Sequence, residues 1–202
     1  MIKLYYHVDC PYSQKVRIVL AEKDLEHELV HVDLAKGEQK TAEFRKLSPL
    51  GKVPVLVDED VVVYDSTIIN EYLDEEYPNP PLMPENDSAG RARVRLLEDF
   101  CDNFFIPSTI HILAELHRPE AERDHEKIRR FSGEIQRVLG WLDPQLAGKA
   151  FLVGEFSLAD VAFAGRAVIL QQLGIEIESR LHNVGGWIAR LSERPSVRAL
   201  GV

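Results

Sequence analysis

Cys10-Pro11-Tyr12-Ser13 places one thiol between an extended run, Ile2 to His7, and a helical pattern that carries Val16, Ile18, Val19 and Leu20. A cysteine where a helix begins lies beside backbone N–H groups that have no intrahelical acceptor and at the positive end of the helix dipole. Both features favour the thiolate, which is the nucleophilic form. Ser13 stands where a dithiol redox motif needs its second cysteine, so Cys10 has no resolving partner in the motif. A disulfide formed at Cys10 then needs an outside thiol to release it, which suits a small thiol cosubstrate better than a self-contained disulfide oxidoreductase. On this motif alone, the plainer reading of a small packing residue stays open.

Two further stretches carry polar backbone or charge that a site could use. In Gly51-Lys52-Val53-Pro54-Val55-Leu56, proline opens a strand-like run where it would remove a ladder hydrogen bond. An edge-strand trans proline accounts for this, and so does a cis Val53–Pro54 bond that turns the Val53 N–H and C=O toward Cys10, ready to pair with a peptide-like ligand. Asp65-Ser66 follows an apolar run and opens a helical pattern. The Ser66 hydroxyl and the first N–H groups there can hold a carboxylate while Asp65 faces an ammonium, a pairing that suits an amino-acid head group; a plain N-cap is the alternative. His7 either assists the Cys10 thiolate or ends a strand in solvent. Cys101, near Leu97 and Phe104 in helical register, reads as buried and inert.

The chain has 202 residues, 45% of them hydrophobic, enough for one large or two small packed cores. Its 24 Lys and Arg against 33 Asp and Glu give a net charge of −9, which argues against a phosphate-backbone footprint or a membrane-surface role. Cys10 and Cys101 lie far apart, and no CxxC or HExxH spacing occurs, so neither a disulfide framework nor a metal cage is expected. The N-terminus lacks a basic region followed by an apolar core, and no stretch approaches about 18 unbroken apolar residues. The expected compartment is the cytoplasm.

The elements that must position these groups can be read from periodicity. Ile2 to His7 is extended, Ser13 to Lys23 helical, and His27 to Val32 extended again, a β-α-β unit. A short polar helix near Thr41 to Lys46 precedes Val53 to Val57, a turn at Asp58-Glu59-Asp60, and Val61 to Tyr64, which together predict an antiparallel hairpin. A helix from Ser66 to Glu76 closes a βαβ-α-ββα order, that of a thioredoxin-like domain. Tyr77 to Pro84 holds four prolines in eight residues and cannot continue the helix. The expected division is therefore a domain over 1–77, a linker over 78–87 and an all-α domain over 88–202. In the last, a helical stretch from Ser88 to about His117 is interrupted by Pro107, and another runs from about Arg123 to Leu146. Phe156-Ser157-Leu158-Ala159-Asp160-Val161 predicts a capping box with a hydrophobic staple, a folding device rather than a site.

Cys-Pro-Tyr-Ser, Gly-Lys-Val-Pro-Val-Leu, Asp-Ser, the proline linker and Phe-Ser-Leu-Ala-Asp occur here in the order found in cytosolic glutathione transferases, and the chain resembles that superfamily over nearly its whole length. The resemblance implies a thioredoxin-like N-terminal domain, a helical C-terminal domain, a homodimer, and glutathione as cosubstrate with no metal. It also implies that Cys10 contacts the thiol, that Lys52, Val53 and Pro54 hold the peptide part, and that Asp65 with Ser66 holds the γ-glutamyl end. Ser13 would help stabilise the sulfur anion. Many members carry Ser or Tyr at the Cys10 position; a cysteine is more similar to the omega, lambda or beta classes, which lean toward thiol transfer and reduction of glutathione mixed disulfides. Asp65 replaces the more usual Glu. The acceptor site of the family falls on the segment with Phe104, Phe105, Ser108 and His111, of which Phe105 and His111 are the candidates; apolar residues at helical spacing also pack between helices. The chain is similar as well to stringent starvation protein A, a transferase-like protein that binds RNA polymerase, in Val16 to Lys23, Tyr72-Leu-Asp-Glu, Pro80 to Pro84, Glu155-Phe-Ser-Leu and Gln172 to Glu176. Those proteins lack a cysteine at the Cys10 position, which favours an enzyme.

Overall fold

Alternation in the first segment produces β1 (Ile2–Tyr6), with Ile2 and Leu4 buried. Leu4 sits between Leu29 of β2 (His27–His31), paired in parallel, and Leu56 of β3 (Val55–Asp58), paired antiparallel. β4 (Val61–Tyr64) pairs antiparallel with β3, with Leu56 opposite Val63, and completes a mixed sheet in the order β2-β1-β3-β4. α1 (Pro11–Glu22) buries Val16, Ile18, Val19 and Leu20. α2 (Ala42–Leu47) is capped by Thr41, whose Oγ1 accepts the Phe44 N–H at 3.3 Å. α3 (Ser66–Glu76) buries Ile69 and Leu73. This computed structural model describes residues 1–201.

β1 and β4 each run antiparallel to β3, so they share a direction, and the helices that follow them, α1 and α3, both start at the same end of the sheet. Lys15 Nζ donates to Thr67 Oγ1 at 3.3 Å and ties the two helix starts together. Ligands of open α/β sheets gather at the carboxyl ends of parallel strands, which is where these starts converge.

The chain divides into two units, Met1–Met83 and a second from Pro84. The proline-rich run up to Met83 thus stays with the first unit, and the reason is electrostatic. Lys23, buried completely, pairs with Asp74 at 2.8 Å and donates to the carbonyls of Tyr77 and Pro80, each at 2.8 Å. Asp74 in turn accepts the N–H groups of Leu82 at 2.8 Å and Met83 at 3.1 Å. An ammonium taken out of water costs several kcal/mol unless paired and fully hydrogen-bonded, and this clasp supplies those partners.

The second unit is helical, its elements being α4 (Ser88–Phe100), α5 (Ile106–Leu116), α6 (His125–Leu142), α7 (Leu158–Ala167), α8 (His182–Glu193) and α9 (Pro195–Arg198). Asp87 and Asp124 cap α4 and α6 through the N–H groups of Gly90 and Lys127, both at 2.9 Å. Pro107 does not break the expected long helix. A π turn, Cys101–Phe105, joins α4 to α5, and Pro107 falls in the first turn of α5, where its missing N–H is tolerated. The capping box at α7 forms: Asp160 Oδ2 accepts the Ser157 N–H at 3.1 Å.

Candidate functional site

Cys10 occupies the N-cap position of α1, and its side chain makes no bond to its own helix. Its Sγ lies 3.8 Å from the Val53 carbonyl oxygen. The side chain is half-buried and packs on a cluster formed by Val32, Phe44, Val53 and Val55. His7 holds this loop through its backbone and ring. The Cys10 N–H donates to His7 O at 3.1 Å, and the Asp9 N–H to His7 Nδ1 at 3.3 Å. The ring is half-buried beside that of His31, with centroids 5.3 Å apart, so His7 is no free strand-end histidine.

Ser13 requires a correction. It is fully buried, and its Oγ accepts the His7 N–H at 3.4 Å. Three residues into the helix, its side chain turns toward the loop beneath Cys10; among the described residues the only polar partner of Sγ is Val53 O.

The Val53 carbonyl is set by the loop before it. Gly51 has φ +61°, and a Cβ there would stand 2.6 Å from the Gln39 carbonyl oxygen, so only glycine fits. Ser48 fastens the same loop, accepting the Gly51 N–H through its carbonyl at 2.8 Å and the Lys52 N–H through Oγ at 3.1 Å. The Val53–Pro54 bond is cis, and both residues are buried while Lys52 is exposed. β3 begins only at Val55, so Pro54 removes no bond from the ladder.

At α3 the cap is Asp65, not Ser66. Asp65 adopts φ 75°, ψ 124°, and its Oδ1 accepts the N–H groups of Thr67 at 3.0 Å and Ile68 at 3.5 Å. The Ser66 N–H is not among those donors, and the residue is buried at the helix start. Asp65 is itself exposed, and Oδ2 has no partner among the described residues. Cap and unused oxygen together leave a negative charge next to an N–H that points out of a helix.

The two acceptor candidates do not share a surface. Phe105 is fully buried in the core of the second unit, its ring 5.2 Å from that of Phe163, and so cannot touch an acceptor. The π turn shifts the helical phase, turning Phe105 inward and leaving Phe104 exposed. His111 is exposed and stacks on Phe131 with centroids 4.2 Å apart, beside Lys127 and Arg130. Cys101 is buried, and its Sγ donates to Ala162 O at 3.2 Å. Among the described residues there is no group of three or more His, Cys, Asp or Glu side chains that could hold a metal, and no helix is long and apolar enough to cross a membrane.

A buried acid lies elsewhere, at the start of α7, and its hydrogen bonds go beyond the capping box. Asp160 is fully buried and also accepts the Leu152 N–H at 3.0 Å and Trp187 Nε1 at 2.9 Å. Burial raises its carboxyl from the ordinary 3.8 to about 6, against the opposing pull of these donors. Every nearby donor is internal, so nothing is left for a ligand.

A four-stranded mixed sheet with a cysteine at the first helix start and an aspartate at the third, followed by an all-helical unit, defines a thioredoxin-like domain joined to a helical one. Residues 9–76 match the family model described as Glutathione S-transferase, N-terminal domain, and residues 105–195 match Glutathione S-transferase, C-terminal domain. The chain belongs to the glutathione S-transferase family. A stringent starvation protein A homolog of Pasteurella multocida is 34% identical over 95% of this chain and 86% of its own length. Glutathione S-transferase Z1 of Arabidopsis thaliana is 48% identical, but over 42% of this chain and only 38% of its own length. Among solved structures, the glutathione transferase URE2P8 from Phanerochaete chrysosporium, crystallised with oxidized glutathione, superposes with a TM-score of 0.88 at 25% identity, covering 99% of this chain and 93% of that one.

Proposed function

We propose that this chain is a glutathione-dependent thiol transferase with Cys10 as its nucleophile. The observation that carries the reading is the half-buried Cys10 sulfur at the start of α1, unused by its own helix and 3.8 Å from the Val53 carbonyl. The relative crystallised with oxidized glutathione supports the choice of thiol. In the first step the Cys10 thiolate attacks the glutathionyl sulfur of a mixed disulfide, forming a Cys10–glutathione disulfide and expelling the substrate thiolate, which takes up a proton. The thiolate of a second glutathione then attacks the glutathionyl sulfur, giving oxidized glutathione and restoring the Cys10 thiolate. Val53 backbone atoms pair with the tripeptide, bracketed by Lys52 and Pro54. Asp65 Oδ2 meets the γ-glutamyl ammonium, and Ser66 with the first turn of α3 meets its carboxylate. Ser13 acts as a positioning residue, through His7. The same thiolate can attack a small electrophile. By analogy with the family, the protein works in the cytoplasm as a homodimer.

Exposure to oxidized glutathione, followed by intact mass and peptide mapping, tests the reading. A glutathione adduct on Cys10 that reduced glutathione removes is expected, with thiol transfer abolished in Cys10→Ser. Full activity in that variant overturns the nucleophile assignment. The similarity to a stringent starvation protein A homolog over nearly the whole chain supports a second reading, a non-catalytic protein that binds RNA polymerase. Retention of purified polymerase by the chain, with no adduct at Cys10, decides for it.

A further inference from the structure

The turn from His7 to Cys10 delivers the sulfur to the start of α1, and hydrogen bonds fix it at each step. The Cys10 N–H donates to the His7 carbonyl at 3.1 Å, buried Gln14 donates Nε2 to the Val8 carbonyl at 3.2 Å, and the His7 N–H donates to Ser13 Oγ at 3.4 Å. These donors and acceptors are amides and a hydroxyl, which keep the same roles on both sides of neutral pH. One further bond differs in kind, the Asp9 N–H to His7 Nδ1 at 3.3 Å. It spans two residues, as an asparagine side chain does in an Asx turn. An amide N–H can only donate, so Nδ1 offers its lone pair and the ring proton sits on Nε2. A second proton on the ring goes to Nδ1, which then donates, and the Asp9 N–H faces another N–H in place of an acceptor.

Position gives this change a reach beyond His7. Asp9 directly precedes Cys10, which holds φ −76° and ψ 115°, the extended N-cap conformation that puts its sulfur beside the first N–H groups of α1. The His7 ring is half-buried and braced. His31 of β2 stands against it with centroids 5.3 Å apart and planes tilted by 39°, Tyr6 of β1 meets His31 edge-on at 5.8 Å, and Arg17 of α1 lies 5.5 Å from the Tyr6 centroid. The charged and titratable groups around it are therefore His31, Tyr6 and Arg17 from the neighbouring elements and Asp9 from the turn itself. We propose that His7 is a positioning residue for Cys10 that responds to pH: with Nδ1 unprotonated it holds Asp9 and keeps the sulfur at the start of α1, and with Nδ1 protonated it releases the turn and makes the thiolate harder to form. The inference deepens the reading of Cys10 as a nucleophile and rests on it for its use in thiol transfer.

The test is alkylation of Cys10 by iodoacetamide in the full chain, with the rate at that residue read by peptide mapping from about pH 5.5 to about pH 8.5. In His7→Asn the side-chain carbonyl still accepts the Asp9 N–H but takes up no proton in this range, so the rate should follow the thiol titration alone. With each rate taken relative to its own at about pH 8.5, wild type should fall below His7→Asn by at least about threefold at about pH 5.5, the size of one neutral hydrogen bond. His31→Gln should keep that additional acid loss. His7→Ala, with no acceptor at any pH, should lack it and react about threefold more slowly than His7→Asn near neutral pH. A constant ratio of wild type to His7→Asn overturns the inference. A ratio that rises in acid does so too, since an imidazolium would then be favouring the thiolate by its charge, and loss of the acid branch in His31→Gln overturns the assignment to His7. If Cys10 reacts in no variant at any pH, this inference and the nucleophile fall together. Alkylation consumes no glutathione, so a missing glutathione adduct with these rates intact would strike the thiol-transfer reading alone.

Discussion

α3 and α7 each have an aspartate that serves the helix start, Asp65 at the N-cap of α3 and Asp160 three residues after the Ser157 N-cap of α7, and they differ in what is left over. Asp160 is sealed: its two oxygens take two backbone N–H groups, a hydroxyl and an indole, with no exposed surface. Asp65 is open: one oxygen caps two N–H groups, and the other faces solvent beside a helix N–H that the cap does not use. The same side chain at a helix start is used up by internal donors in one unit, while in the other, at the N-cap, it keeps an oxygen in solvent, the oxygen that the proposed function assigns to glutathione. Acid at a helix start is therefore informative about function only after its hydrogen bonds have been counted.

The sharpest way to break this comparison is to remove the sealed acid. Asp160→Ala orphans buried donors, each costing about 1–3 kcal/mol, so a loss of at least about 3 kcal/mol is expected in urea unfolding. A loss below about 1 kcal/mol would show that the cluster is not sealed. Titration is the next handle. The Asp160 carboxyl sits at about 6, above its ordinary 3.8, so its contribution is complete below that ordinary value and is lost as pH rises through about 6. The term is on the order of 2 kcal/mol between pH 4 and 7, and it vanishes in Asp160→Asn. Glu115 has the opposite sign. Hydrogen bonds from Lys127, from the Asp124 N–H and from Arg118 lower it from 4.5 to about 2, so its contribution is present above 4.5 and drains away as pH falls toward about 2. Urea midpoints across pH 2–8 for wild type, Asp160→Asn and Glu115→Gln separate the two. The smallest effect on folding is expected at the open acid. Asp65→Asn keeps a good cap, so stability should change by less than about 0.5 kcal/mol, while calorimetry with glutathione should show an affinity loss of about tenfold. Unchanged affinity removes Asp65 from the site.

Local patterns made much of this legible in the sequence. Extended and short apolar runs bounded by turn residues locate the strands to within a residue or two, the bounds of α3 fall where Ile68, Ile69, Tyr72 and Leu73 recur, and Ser157 with Asp160 marks its helix because a capping box is a contact between neighbours in the chain. What escaped depends on contacts across the fold. Leu152 and Trp187 reach Asp160 from 8 and 27 residues away. Phe105 is an acceptor candidate only through the family resemblance of its segment, which does not say which residues face out; one wider turn at Cys101–Phe105 changes the helical phase without any mark in composition. Ser13 looked like a partner for the sulfur because four adjacent letters say nothing about which way a side chain turns. Lys23 was invisible as a tertiary residue because two of its acceptors are backbone carbonyls, which every residue possesses.

That lysine has a consequence for anyone who exchanges halves between relatives. A hybrid joined just after Glu76 would keep the Lys23–Asp74 pair but leave its remaining partners to a foreign segment, whose backbone must follow the same path to place two carbonyls on the ammonium and two N–H groups on the carboxylate. Joined after Met83, the acceptors travel with the lysine, and the seam falls where the chain has finished its obligations to the first sheet.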